Sequence, residues 1–217
     1  MRIKFTTYVF IGFLLVPLLS CINKKGKETV SNRVVKNNSL ISNSNLKMTF
    51  QISEELQFLA DSAFVLKERS NTEVFLFTDS KKGEIKRFLQ FQFESFVPEI
   101  EGTYKFHDVT DSIQISGLQL LQSHWCFNLV EAAKERPKSD ISVVQKVLNN
   151  NGVTTNGVYV GKRFIYLSED KRFEMLIIYG EKDSYSGIDC SNEETALPLL
   201  LEMDEQILKS FKIQNNH

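Results

Sequence analysis

Residues 158–180 read VYVGKRFIYLSEDKRFEMLIIYG. Two runs rich in aliphatic and aromatic residues, 158–167 and 172–180, flank the polar segment SEDK, a pattern typical of a β-hairpin. With SEDK as the turn, Leu167 would pair with Arg172 and Ile165 with Glu174. Both faces of this hairpin are mostly apolar. We therefore expect both to be covered, one of them by a helix, and the hairpin to be central in its sheet.

Shorter apolar runs, separated by clusters of turn residues, precede this hairpin and predict further strands. In the clearest of them apolar and polar side chains alternate, so that one face is apolar and the other polar. The predicted strands are 56–67 with a turn at 60–62, 73–78, 87–96, a hairpin over 104–115 that turns at 108–111, and 122–130.

Two helices are predicted around the hairpin. Ser139 can cap the first, Asp140 suits its positive N-terminus, and Gly152 follows as a stop signal. Pro198 fits the first turn of the second helix. The apolar face expected there consists of Leu200, Met203, Ile207 and Phe211. This order of elements predicts an α+β fold, a single domain with a mostly antiparallel sheet packed against two or more helices.

The same order of elements, together with the closing Ile207-Leu208-Lys209-Ser210-Phe211, resembles the PsbP and Mog1 type of domain. The matching residues are few and belong mostly to the expected core. The resemblance implies an α+β sandwich and assigns no functional residue.

The N-terminus has the pattern of a secretory signal. Arg2 and Lys4 precede an apolar run over residues 8–19, which is shorter than the roughly 20 residues that a membrane span needs. The following Leu18-Leu19-Ser20-Cys21 resembles the lipobox of bacterial lipoproteins. That resemblance implies removal of residues 1–20, diacylglycerol on the thiol of Cys21, and anchoring in the cell envelope. In bacterial lipoproteins an Asp directly after the lipidated cysteine commonly favours retention in the inner membrane. The residue here is Ile22, so the resemblance implies the outer membrane. An ordinary signal with a chance cysteine, or an uncleaved anchor, are the alternatives.

Composition divides the rest of the chain. Residues 21–47 are polar and rich in Asn, Ser and Lys, and we interpret them as a lipidated flexible tether, followed by a globular domain over 48–217. Loss of residues 1–20 lowers the 26 basic residues to 24 against 27 acidic ones, a formal charge of −3. A nucleic-acid binder would normally show a clustered basic surface, so we expect no nucleic-acid partner.

Two cysteines remain besides the predicted lipidation site. Cys126 and Cys190 would be exported to a compartment where disulfides persist. A bridge between them would close a loop of about 65 residues and stabilise the domain by at most about 4 kcal/mol in the chain-entropy model. Two buried thiols that act as small hydrophobic groups are the alternative.

The sequence offers no recognisable catalytic set, metal site or cofactor motif. His107, His124 and His217 lack the spacing of zinc ligands, and no nucleophile elbow is present. Glu94 and Glu174 are candidates for acid-base chemistry by paired carboxylates. Arg163 and Arg172 lie close to Glu174 in the predicted hairpin, and we expect a structural ion pair there.

One polar row is a candidate binding face: Gln90, Gln92 and Glu94 on a single strand face. These side chains could read a polar ligand or an envelope protein, and simple solvent exposure is the alternative. We therefore expect a non-catalytic envelope lipoprotein, held on the membrane by its lipid, that binds an unknown protein or polar ligand. An inhibitor or immunity-type envelope protein, or a hydrolase with an unrecognised carboxylate or histidine site, are the alternatives.

Overall fold

The computed structural model describes residues 32–106, 109, 111–183 and 187–215, all within one structural unit, Ser31–His217. The predicted signal segment, the lipobox-like motif at Cys21 and the first part of the expected tether lie outside these ranges, as do His107 and His217. Among the described helices, none has both the length and the apolar character needed to cross a membrane.

Strands dominate the described part of the chain. The strands are β1 Arg33–Lys36, β2 Ser39–Ser42, β3 Met48–Ile52, β4 Gln57–Leu66, β5 Ser70–Lys81, β6 Glu84–Phe96, β7 Ser112–Ile115, β8 Leu118–Asn128, β9 Val158–Leu167, β10 Phe173–Lys182 and β11 Phe211–Asn215. The α-helices are α1 Leu129–Glu135, α2 Asp140–Asn150 and α3 Leu197–Ser210.

The strands form two antiparallel sheets. One has four strands in the order β1-β2-β3-β11, and the other has seven in the order β4-β5-β6-β10-β9-β8-β7. The expected α+β class is therefore wrong: the domain is mostly β, with three short helices in its described part. The four-stranded sheet is the part that the sequence analysis did not predict.

The N-terminal half of that sheet comes from residues assigned to the tether. β1 and β2 form a hairpin whose turn, Asn37 and Asn38, has left-handed backbone with φ of 50° and 53°. Asparagine tolerates this conformation better than most residues and favours such two-residue turns. Leu40 of β2 is fully buried. The asparagines that suggested a flexible tether are turn residues, and the strands begin at Arg33, well before residue 48.

The C-terminal half of the sheet replaces the end of a predicted helix. The spacing of Leu200, Met203 and Ile207 correctly predicts the buried face of α3. Phe211, expected on the same face, instead begins β11 and pairs with Ile52. Its ring lies 5.9 Å from that of Phe91 in the other sheet. Phe211 is therefore buried in the core, as predicted, but it reaches the core from a strand and not from a helix.

The central hairpin is confirmed, with a shifted register. β10 is the middle strand of seven and β9 is its neighbour. Leu167 pairs with Glu174, two residues further along than the predicted Arg172, because the connection begins after Leu167 as predicted but ends two residues later. An even shift leaves every side chain on its predicted face.

Three other predictions around the sheet are wrong. β4 passes straight through residues 60–62, with a bulge between Phe58 and Ala60 in place of a turn. The hairpin over 104–115 does not form, because Ile115 pairs with Leu118 around a tight turn instead. The strand predicted over 122–130 ends at Asn128, whose side chain accepts hydrogen bonds from two backbone N–H groups of the unpredicted helix α1.

The helix predicted after Ser139 is confirmed as α2. The Ser139 hydroxyl accepts a hydrogen bond from the backbone N–H of Ser142, at 3.4 Å, and Asp140 lies in the first turn. Gly152, just beyond the helix, has a positive φ of 71°. This helix covers part of one face of the large sheet.

The seven-stranded sheet thus has two different faces. Its inner face packs against the four-stranded sheet and α3 and is lined by Phe75, Phe77, Leu89, Phe91, Phe93, Met175, Ile177 and Tyr179. Its outer face lies towards α1 and α2 and carries Val74, Leu76, Phe88 and Tyr159, with Leu148 of α2 and Val153 packed on them. Both faces of the hairpin are covered, as its sequence predicts.

Candidate functional site

The polar row of β6 lies on the outer face and is buried. Gln90, Gln92 and Glu94 are 5%, 0% and 4% exposed, so the solvent-exposed alternative is wrong. The Gln90 amide donates to Gln92 Oε1 at 2.7 Å, and the Gln92 amide donates to Glu94 Oε1 at 2.5 Å and to Asp140 Oδ2 at 3.1 Å. The row is therefore a hydrogen-bonded ladder that joins the sheet to the start of α2.

The ladder ends at two carboxyl groups that face each other. Glu174 of β10 is the register partner of Glu94, and both are 4% exposed. The Ser70 hydroxyl donates to Glu94 Oε2 at 3.1 Å. Glu174 Oε2 has no hydrogen-bond partner among the described residues. Two buried carboxylates in adjacent positions would repel each other, so the pair favours a protonated state.

The pKa values of both groups follow from this burial. Burial raises the pKa of Glu94, and the charge of Asp140 adds to the effect, whereas the hydrogen bond from Gln92 opposes it. Burial, together with the charge of Glu94, raises the pKa of Glu174 to about 8, against a smaller opposing effect of Arg163. Burial and the neighbouring Glu94 thus favour the protonated form of Glu174 at neutral pH.

The predicted ion pair at Glu174 does not form. No described carboxylate lies within 4.0 Å of the Arg163 guanidinium, and Arg172 instead donates to the carbonyl oxygens of Gly102 and Ile100 at 3.2 and 3.0 Å. The register shift explains the difference, because it pairs Glu174 with Leu167, four residues along β9 from Arg163. The ion pair was predicted only because the assumed register placed the arginines close to Glu174.

A cavity of about 280 Å³ lies between the outer face of the sheet and the helices α1 and α2. Its apolar walls are Leu76, Phe88, Trp125, Val144, Leu148 and Ile178. Its polar lining includes Gln90, Asp140, Arg163 and Ser123. Apolar walls with a few convergent polar groups are typical of small-molecule sites, which usually measure about 300 to 1,000 Å³.

Two glycines make room for the aromatic wall of this cavity. Gly161 and Gly180 are register partners on β9 and β10. A Cβ atom on Gly161 would lie 2.3 Å from the Trp125 ring, and one on Gly180 would lie 2.6 Å from the Phe88 ring. The two rings stack with their centroids 5.9 Å apart. Trp125 Nε1 is buried without a hydrogen-bond partner among the described residues.

The carboxyl pair and the cavity are neighbours but not one site. Glu94 and Glu174 are absent from the cavity lining, whereas Gln90 and Asp140, which belong to the same ladder, are part of it. His124 contributes to the lining, and its side chain is exposed. The arrangement can hold a small molecule against apolar walls and polar groups, and it places neither carboxyl group of the pair where such a molecule would lie.

The remaining candidates fall elsewhere. The structure joins Cys126 and Cys190, 64 residues apart in sequence, in a disulfide with a Cα–Cα distance of 5.3 Å. Cys126 belongs to the inner-face core and is paired in register with Val160. Across the described ranges, no three His, Cys, Asp or Glu side chains are grouped so that they could hold a metal ion.

Most of the cavity lining was not predicted. The available signal was the pair of glycines in the middle of two apolar strands, since glycine inside a strand often marks the close approach of another group. Asp140 was assigned only to the helix terminus, and Arg163 only to an ion pair. The spacing of apolar residues predicts that a helix has a buried face, but it does not show which strands that helix covers.

Comparison with known proteins gives no relative. No protein-family model matches the chain, and no curated protein and no solved structure shows a significant similarity to it. The lipobox and the resemblance to the PsbP and Mog1 type of domain stay predictions from the sequence, and the site must be interpreted from its own residues.

Proposed function

We propose that this protein is a lipid-anchored protein of the bacterial cell envelope, more specifically of the outer membrane, whose domain binds a small, mainly apolar ligand in the cavity beneath α2. The observation that carries the proposal is the cavity itself, about 280 Å³ in volume, with apolar walls and a few convergent polar groups. Concave, mostly apolar sites with a few placed polar groups are where proteins usually bind small molecules.

The shape of the site limits its ligand. Trp125 and Phe88 offer stacked aromatic surface on one side, and the apolar face of α2 offers Val144 and Leu148 on the other. Burial of an alkyl chain contributes about 0.8 kcal/mol per CH₂ group. An eight-carbon chain would thus gain about 6 kcal/mol, of which association removes a large part. We therefore expect a purely apolar chain to bind only weakly.

The proposal changes the part that the polar row plays. Gln92 and Glu94 are buried in the ladder and cannot meet a protein partner at the surface. Gln90 alone of the row lines the cavity. In this proposal the ligand is a small molecule, and Gln90 is the member of the row that it would meet.

Trp125 provides a direct test, because it is the single tryptophan of the chain and lines the cavity. Titration with 1-octanol should change its emission with saturation and raise the melting temperature. Val144→Phe should fill the cavity and abolish the response. Val143→Phe, on the same helix but outside the lining, is the matched control and should respond like the unmodified protein. Absence of a saturable response, or an equal response from both variants, would contradict the proposal.

The anchor is tested separately. Cys21→Ser should abolish labelling with a radioactive fatty acid and release the protein from the membrane fraction, because one cysteine thiol would carry the whole anchor. Globomycin should block removal of the signal in the unmodified protein. If the Cys21→Ser protein still incorporates label and sediments with membranes, the lipoprotein assignment is wrong, whatever the cavity binds.

A further inference from the structure

We propose that the ligand of this cavity is an amphipathic anion with a carboxylate head group, and that Arg163 binds that head group. The inference rests on the proposed function, since it names the chemical class of molecule that the cavity takes. It is carried by the surroundings of one guanidinium on the cavity wall.

Arg163 is an incompletely paired cation. Its side chain is half-buried, and its Nε–H donates to the Ser123 hydroxyl oxygen at 3.2 Å. The Phe106 ring lies 5.7 Å from the guanidinium carbon. Neither terminal nitrogen, Nη1 or Nη2, makes a hydrogen bond to a described residue. Four N–H donors of a half-buried group are thus left for a molecule that enters the cavity.

The surrounding acids do not neutralise Arg163 by contact. Asp140 is occupied by other donors: its Oδ1 accepts from the backbone N–H of Ile141 at 2.9 Å, and its Oδ2 accepts from Gln92 at 3.1 Å. Glu174 makes no ion pair with Arg163, and burial, which raises its pKa to about 8, disfavours its charged form. Burial also lowers the pKa of Arg163, but a guanidinium stays charged at neutral pH.

Carboxylate matches these donors in geometry as well as in charge. A guanidinium binds a carboxylate through two parallel N–H···O bonds, and the nitrogen atoms left unpaired are the ones that such a fork uses. Arg136, exposed and also on the lining, adds a second positive charge to this side of the cavity. The apolar walls formed by Trp125 and Val144 would then receive the tail.

The competing class is an organic cation. Aromatic walls attract ammonium groups, and Trp125 is the strongest of the aromatic side chains in this respect. Asp140 would add attraction for a cation. Against this, the two arginines of the lining outnumber its one aspartate, so that the formal charge around the cavity is positive. A ligand cation would have to displace or oppose Arg163.

A head-group series decides between the classes. The probes are octanoate, 1-octanol and octyltrimethylammonium, each below its critical micelle concentration, titrated at pH 7 into the full chain with Trp125 emission as the readout. The tail is constant and the head group changes from negative to neutral to positive. We expect octanoate to bind at least about tenfold more tightly than octanol, because hydrogen bonds to a charged group are worth about that factor or more. Octyltrimethylammonium should bind most weakly.

Two variants locate the effect. Arg163→Gln should reduce octanoate binding to the level of octanol and leave octanol binding unchanged. Lys162→Gln is the matched control, because it removes a cation from the neighbouring position of the same strand, where Lys162 pairs with Asp204 outside the cavity. It should retain the preference for octanoate.

The outcomes separate the two proposals. Equal binding of the three probes, or tighter binding of the cation, would overturn the carboxylate inference while the cavity site stands. Failure of all three to bind would overturn the cavity site itself. Should Arg163→Gln fail to fold, the head-group series in the unmodified protein still gives the answer.

Discussion

The two faces of the seven-stranded sheet are built from the same strands but on different principles. On β6, Phe91 and Phe93 enter the inner core, where the Phe91 ring lies 4.7 Å from that of Phe50 in the opposite sheet. Gln92 and Glu94, one residue away in each case, enter a polar ladder on the outer face. Alternation along one strand thus divides a closely packed apolar layer from a layer that holds buried acids and a cavity.

This difference indicates that the inner face mainly stabilises the fold and that the outer face mainly forms the binding site. The inner face gains stability from continuous apolar contact between two sheets. The outer face gives up part of that stability, since it contains the cavity and a carboxyl oxygen of Glu174 that has no hydrogen-bond partner among the described residues. Sites of binding commonly carry such costs. If the division is correct, substitutions on the inner face should affect folding most, and those on the outer face should affect pH dependence and binding.

The largest effect is expected on the inner face. Ile177 of β10 is fully buried in the core between the sheets, and Ile177→Asp would place a carboxylate there at a cost of several kcal/mol. Because domains are stable by only about 5 to 15 kcal/mol, we expect this variant to be unfolded by circular dichroism and thermal melting. Leu201→Asp, at a position 72% exposed, is the control and should melt like the unmodified protein. A cooperative melt of the Ile177 variant would show that the inner face is not the core.

The next effect concerns the disulfide that ties the inner face to the segment before α3. In the chain-entropy model, loss of the Cys126–Cys190 bridge, with 64 residues between its ends, removes about 4 kcal/mol. The double variant Cys126→Ser, Cys190→Ser should unfold at lower urea concentration by a corresponding amount. Reducing agent should lower the stability of the unmodified protein and leave the double variant unchanged. An equal response of both proteins to reductant would contradict the bridge.

A smaller effect is expected in the ladder. Gln92→Thr removes the donor to both Glu94 and Asp140, and leaving buried oxygens without partners costs about 1 to 3 kcal/mol. Gln51→Thr replaces an exposed glutamine of β3 and should change the free energy of unfolding by no more than about 0.5 kcal/mol. Urea denaturation measures both. Equal stability of the two variants would mean that the row is solvated after all.

The last prediction concerns the pH dependence of stability. The ordinary pKa of Glu174 is 4.5 and its folded value is about 8, so between these values the folded state retains a proton that the unfolded state has released. Stability therefore falls as pH rises through this interval. Glu174→Gln stays neutral and should reduce the fall between pH 5 and 8, measured by urea denaturation. The exposed substitution Glu68→Gln is the control and should follow the unmodified profile. A profile unaffected by Glu174→Gln would contradict the buried carboxyl pair.

The sequence was sufficient where local patterns determine structure. The hairpin β9–β10 and the helix after Ser139 were predicted because apolar runs, a cap and a stop signal act over a few residues. The buried face of α3 followed from spacing alone. These elements contain much of the core, and Ile177, predicted to be buried in the hairpin, is fully so.

The second sheet and the site were not predictable in the same way. Asn37 and Asn38 have the composition of a linker, and only the pairing of β2 with β3 shows that they form a turn inside a sheet. The ladder appeared exposed because a strand pattern gives the polarity of a face but not what covers it. The predicted register placed Arg163 diagonally opposite Glu174, and the observed register, shifted by two residues, separates them. No local sequence pattern indicates that shift. Contacts distant in sequence decided each of these points.

The central claim, that the outer face holds a small anionic amphipath, is tested most directly by a crystal structure of the protein grown with octanoate. We predict electron density for one octanoate between the sheet and α2, with its carboxylate within hydrogen-bond distance of the Arg163 guanidinium and its tail against Trp125. Density only at another surface, such as the exposed leucines Leu197, Leu201 and Leu208 of α3, or a cavity closed by α2, would contradict the claim.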